Sequence, residues 1–165
     1  MAGTLIISRD NSRCGIILSG RVNFETVVPL RNFVNDLPAD IKELTVELGG
    51  CLSMDSTCMG VLSMLALLGI KSKLKMRLLN AGGNRQLLKG LGVEKLFKFE
   101  DGDFESYPEI IYPAATAADK DMKAAAETVL EAHQTLVEAD SANAEQFRDV
   151  IAFAEEDVRR LDEKK

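Results

Sequence analysis

The run Thr57–Leu68 is apolar nearly all round, and it follows a segment in which Leu44, Val46 and Leu48 alternate with Thr45 and Glu47. A helix with no wet face has to be enclosed on most sides. An alternating strand has to lay its apolar face on something equally apolar. Leu74, Met76 and Leu78, set against Lys73, Lys75 and Arg77, form a second such strand, followed by a short helix at Gly83–Leu91 and a short strand at Lys95–Phe99. Strand, helix, strand, helix from 43 to 99 calls for parallel pairing through crossover helices, so the fold class is α/β. Upstream, Thr4–Ser8 and Cys14–Leu18 are β-prone and joined through Asp10-Asn11-Ser12, which reads as a hairpin. Phe24–Leu37 carries Val27, Leu30, Phe33, Val34 and Leu37 at helical spacing, with Pro38 just beyond its end.

The character of the chain changes near Tyr112-Pro113. Residues 1–113 hold 13 basic and 13 acidic side chains, whereas residues 114–165 hold 7 and 13, so the whole net charge of −6 lies in the tail. Glycine is absent from the tail, and Ala, Glu and Asp dominate it. We therefore expect a domain over 1–113 and an acidic extension over 114–165. Met122, Ala126, Val129, Leu130, His133, Leu136 and Val137 recur every three or four residues, as do Phe147, Val150, Ile151, Ala154, Val158 and Leu161. With Asp140-Ser141-Ala142-Asn143 between them, helices near 116–138 and 143–162 make a helical hairpin. Each has one apolar stripe that needs a third surface, either the sheet domain or a second copy. Lys73, Lys75 and Arg77 could attract the acidic hairpin. Self-association would bury the stripes most completely, so a homo-oligomerisation or partner-docking hairpin separate from the Ser56 surface is expected. His133 reads as a partly buried core residue.

Composition removes several function classes. A pI near 4.9 gives no electrostatic grip on nucleic acid or anionic lipid. The three cysteines, Cys14, Cys51 and Cys58, form no CxxC pair, and His133 is the single histidine. No metal set, no cofactor and no Cys-His nucleophile are expected from these residues. The longest apolar stretch, Cys58–Ile70, is 13 residues and too short for a membrane span. An odd cysteine count and a start without a basic, apolar leader point to the cytoplasm.

The segment that carries chemistry is Leu52-Ser53-Met54-Asp55-Ser56-Thr57-Cys58-Met59-Gly60, where a strand gives way through a polar turn to the apolar helix. The first amides of that helix lack intrahelical partners. Asp55 or Ser56 can serve as N-cap, worth about 1 kcal/mol. A phosphoryl group on Ser56 would add about −1.5 to −2 charges at the positive end of a helix dipole. The domain would tolerate it, whereas a partner covering the patch around Met54 and Met59 would have to desolvate it, at several kcal/mol.

Met54-Asp55-Ser56-Thr57-Cys58-Met59-Gly60 resembles the D-S-[ST]-G-[LM]-G signature of STAS domains of the bacterial anti-sigma factor antagonist type. Leu18-Ser19-Gly20-Arg21-Val22-Asn23 resembles that family's L-x-G-x-[LIV]-D strand end, and Leu87–Gly92 through Leu96-Phe97 its later helix-turn-strand. The resemblance spans roughly residues 3–107. It implies a mixed β-sheet with flanking helices, no enzymatic activity and no cofactor. It also implies partner switching: a GHKL-type anti-sigma factor kinase as binding partner, and a PPM-type serine phosphatase that reverses the modification. Carried over by motif, Ser56 is the phosphoacceptor, Thr57 a weaker candidate, and Asn23, Met54, Asp55, Cys58, Met59 and Gly60 the partner-binding residues. Cys58 replaces the signature's first glycine and Asn23 replaces the strand-end aspartate, departures that fit a specialised partner or a lost kinase. The alternative is a STAS subunit without serine switching, in a signalling scaffold or lipid-transport complex. An enzyme ranks last, because no His, Cys or carboxylate constellation is legible.

Overall fold

The computed structural model describes residues 1–113 and 121–163. Among them are seven strands and six helices: β1 (Thr4–Asp10), β2 (Arg13–Val22), α1 (Val28–Asn35), β3 (Glu43–Glu47), β4 (Cys51–Met54), α2 (Ser56–Lys71), β5 (Lys75–Leu79), α3 (Asn84–Gly90), β6 (Lys98–Glu100), β7 (Glu109–Tyr112), α4 (Met122–Ala139), α5 (Asn143–Gln146) and α6 (Arg148–Glu163). The fold is α/β with a mixed sheet, flanking helices and a C-terminal helical hairpin. Residues 116–120 of the expected first tail helix lie outside the described residues.

The sheet runs β6-β5-β3-β2-β1-β7. β1 pairs antiparallel with β2 and β7, whereas β2, β3, β5 and β6 are mutually parallel. Register places one apolar row straight across it: Ile7 opposite Ile16, Ile16 opposite Val46, Val46 opposite Leu78, Leu78 opposite Phe99. The intervening positions of β5, Lys75 and Arg77, stay exposed. This period of two lets one sheet face carry the core while the other remains polar. Arg77 on that open face meets Glu100 at 3.7 Å, and the hairpin lies elsewhere.

Two strands carry no alternating signal. β4 pairs parallel with the far end of β2, Gly20 opposite Cys51 and Val22 opposite Met54. Gly20, at φ +75°, makes the register shift there, with its N–H donating to Gly50 O at 2.8 Å. A side chain at Gly20 would be strained in φ and would strike the Ala2 carbonyl. β7 closes the other edge against β1. α1 begins at Val28 rather than Phe24, because Asn23 Oδ1 accepts from the N–H groups of Glu25 and Thr26 at 3.0 and 3.2 Å. That Asx turn holds the first residues out of the helix, and Pro29 then fits its first turn.

The hairpin docks on its own chain. α4 packs on α2 and α6 packs on α4, with Ala132, Leu136 and Phe147 in the same contiguous core as Val61, Leu62 and Leu65. The stripe of α4 is thus covered by α2 of the sheet domain, one of the two surfaces the sequence offers, and the hairpin sits against Ser56 rather than apart from it. Arg31 of α1 donates to Glu127 at 2.7 Å and to Glu131 at 2.6 Å. Buried Asn143 donates to Leu91 O and Leu136 O at 2.9 and 2.8 Å, fastening the hairpin turn to the end of α3. Both amide hydrogens are used, so this buried polar group is satisfied on its donor side.

Candidate functional site

The site forms where β2 and β4 end and α2 begins. Asp55 is the N-cap of α2: one carboxylate oxygen accepts from Cys58 N at 2.8 Å. Its other oxygen accepts from Phe24 N at 2.8 Å. A single side chain therefore satisfies an orphan helix amide and also ties the strand-end turn to the helix start. The two sequence segments 18–23 and 54–60 meet here, joined by the β2–β4 ladder and by Asp55 N donating to Val22 O.

Ser56 is the first residue of α2 and is half-buried. Its Oγ lies 2.8 Å from His133 Nε2 on α4, while His133 Nδ1 lies 2.7 Å from Val129 O. A backbone carbonyl only accepts, so Nδ1 carries the ring proton. Nε2 of the neutral ring then accepts from the Ser56 hydroxyl. The ring is 2% exposed and stands edge-on to Phe147 at 4.9 Å between centroids. His133 is thus a core residue, as the sequence suggests, and also a partner of Ser56. No local pattern could have revealed a pairing across 77 positions.

The remaining residues of the motif take different places. Thr57 is 5% exposed, so Ser56 is the more accessible hydroxyl of the two. Met54, Cys58 and Met59 are buried, and Asn23 is exposed with its side chain occupied by its own turn. Cys58 therefore faces the core and does not point out from the helix start. Gly60, one turn beyond Ser56, lies beneath α4: a Cβ there would sit 2.6 Å from Ala132 C and Cβ and closer still to its carbonyl oxygen. Ser56 and Gly60 share the face that α4 covers.

Burial pushes the Cys14 thiol up to about 12. Cys58, buried and beside Asp55, is raised well above its ordinary value, and burial also raises Cys51. Thiols held protonated in this way are poor nucleophiles and poor metal ligands. Among the described residues no group of three or more His, Cys, Asp and Glu side chains is arranged to hold a metal. No described helix is long and apolar enough to cross a membrane.

The Ser–His pair has the proton arrangement of a hydroxyl beside a general base. Its imidazole is oriented by a backbone carbonyl, not a carboxylate, and is walled off by Phe147. A groove of about 610 Å³ runs nearby, between Phe24 and the hairpin residues Met122, Val129, Val150, Phe153 and Leu161. Neither Ser56 nor His133 lines it. The pair binds one element to another more than it addresses an open cleft.

No protein-family model matches the chain, and no curated protein matches it at a significant level.

Proposed function

We propose that the chain is a regulatory interaction module of the anti-sigma factor antagonist kind, switched by reversible phosphorylation of Ser56. In this reading a GHKL-type anti-sigma kinase is partner and modifier, a PPM-type phosphatase resets the serine, and the setting is the cytoplasm. The chain itself is a substrate of such enzymes and turns over nothing. The observation that carries the reading is the placement of Ser56 directly after the capping Asp55, at the first position of α2. A phosphate there meets amides that have no intrahelical partner and the positive end of the helix dipole. The lesser accessibility of Thr57 supports Ser56 as acceptor.

One observation favours a second reading, a structural subunit without switching. The Ser56 hydroxyl is already engaged by His133, and Met54, Cys58 and Met59 are buried rather than offered to a partner. The two readings separate on incubation of the protein with ATP and the GHKL kinases of its own genome, followed by mass spectrometry. Phosphate on Ser56 is expected. Phosphate on Thr57 alone, or none with any of those kinases, contradicts the switch. With the cognate partner in hand, Ser56→Ala keeps binding and Ser56→Asp weakens it, since only the second adds charge at a desolvating surface. Equal affinities by calorimetry would count against the assignment.

A further inference from the structure

We infer that the C-terminal hairpin is a built-in occupant of the Ser56 face, and that hairpin docking and phosphorylation of Ser56 exclude one another. Its role in the cell rests on the reading of Ser56 as a phosphoacceptor; the exclusion itself follows from the contacts.

In the neutral imidazole, with Nδ1 committed as donor to Val129 O, His133 Nε2 takes the only proton of the Ser56 hydroxyl. Esterification removes that proton. It then sets an oxygen-rich group of about −1.5 to −2 charges against an imidazole lone pair in a pocket shared with Phe147. α4 is seated on this face with no spare space beneath it. One turn away, the Gly60 backbone touches Ala132 so closely that even a methyl group would not fit between them. A phosphoryl group is far larger than a methyl, and making space for it gives up this close packing along the length of α4.

Electrostatics acts in the same direction. Residues 121–163 carry 4 basic and 12 acidic side chains. Glu127 and Glu131 of α4 lie on the docked side, where the single charge of Arg31 offsets one of their two while the hairpin is in place. A phosphate at Ser56 adds like charge against an already acidic element. Release also relieves the desolvation of the phosphate, whose oxygens then turn to water and to the free amides at the start of α2. Undocking exposes the face of α2 that carries Gly60, now available to another helix or to the partner. The hairpin thereby couples the modification of one hydroxyl to the uncovering of a surface several turns long.

The test needs no kinase. Phosphoserine is installed co-translationally at position 56 of the full chain, with phosphoserine at exposed Ser53 as a control of equal charge. Amide hydrogen exchange is then followed across the protein. Phosphoserine at 56 is expected to speed exchange in α4 roughly tenfold or more while the β1–β2–β3 amides keep their protection. Phosphoserine at 53 should leave α4 within about threefold of the unmodified protein, and Ser56→Ala, which loses only the hydrogen bond to His133, should speed its exchange less than phosphoserine at 56 does. Unchanged or stronger protection of α4 with phosphoserine at 56 overturns the inference, because it means that the phosphate is accommodated or clamps the hairpin. Loss of protection across the whole sheet overturns it equally, since release leaves the sheet intact. A protein that releases its hairpin here yet is ignored by every kinase keeps this inference and loses the phosphoacceptor reading.

Discussion

Gly60→Ala is expected to destabilise the protein by about 2 kcal/mol, although the same change in an open helix stabilises. Helix propensity alone favours alanine by up to about 1 kcal/mol. Against it stands a methyl group 2.6 Å from the backbone carbon and Cβ of Ala132. Those atoms belong to a helix backbone and have no rotamer through which to move away, so α4 must shift as a body. Overpacking of this kind costs about 1–3 kcal/mol or more, which outweighs the propensity gain. At Gly90, the last residue of α3, a Cβ would meet nothing within 4 Å, so Gly90→Ala should be neutral or mildly stabilising. Urea melts of the two variants check the opposite signs. Equal stability of Gly60→Ala and the parent would mean that α4 does not rest on α2 as described.

Asp55→Ala should cost about 2–3 kcal/mol, more than an ordinary cap, because two backbone amides lose their acceptor at once. Cys58 N is the orphan amide of the α2 start, and Phe24 N belongs to the turn that ends β2. Asp55→Asn should recover roughly half the loss, since its single amide oxygen can keep the cap but not both bonds. The measurement is again a denaturant midpoint, with amide exchange at Phe24 and Cys58 as the local readout. A loss below about 0.5 kcal/mol for Asp55→Ala would contradict the bridging role, because even a solitary cap contributes that much. As the loss falls on the element that begins with Ser56, this variant should also, on the proposed reading, take up less phosphate.

The core of the sheet was legible because its strands obey a period of two. Leu44, Val46, Met76 and Leu78 announce the face they bury, and the all-round apolar run at Thr57–Leu68 announces a helix enclosed by neighbours. β4 was not legible: Cys51-Leu52-Ser53-Met54 has no alternation, and it becomes a strand only because β2 continues past Gly20 and offers it an edge. β7 did carry a signal, Ile110-Ile111-Tyr112 between Pro108 and Pro113, hidden by its position beside the change in composition. The premature start given to α1 has a local cause, the Asx turn of Asn23.

The site divides along the same line. Asp55 as N-cap could be read from one short segment, since capping is a matter of neighbouring residues. The tie from Asp55 to Phe24 N and that from Ser56 to His133 join residues far apart in the chain, and periodicity says nothing about which stripe faces which. Two amphipathic helices specify that their stripes are buried, not against what. The small side of α2 at Ser56 and Gly60 made a seat for α4 that the charge pattern on β5 could not offer, because screened surface pairs contribute little beside a close apolar contact. The hairpin leaves Met122 and Phe153 exposed, 68% and 71%, so its docking on α2 does not use up its apolar surface.

The most direct measurement is the tautomer of the one imidazole in the chain. A long-range proton–nitrogen correlation spectrum of the full protein at mildly alkaline pH reports both ring nitrogens of His133 without overlap from any other histidine. The hydrogen bonds to Val129 O and from Ser56 require the proton on Nδ1 and a lone pair on Nε2. Ser56→Ala should then move the Nε2 resonance and leave Nδ1 nearly in place. A proton on Nε2, which breaks the bond to Val129 O and reverses that to Ser56, or two averaged nitrogens indifferent to Ser56→Ala, would contradict this arrangement.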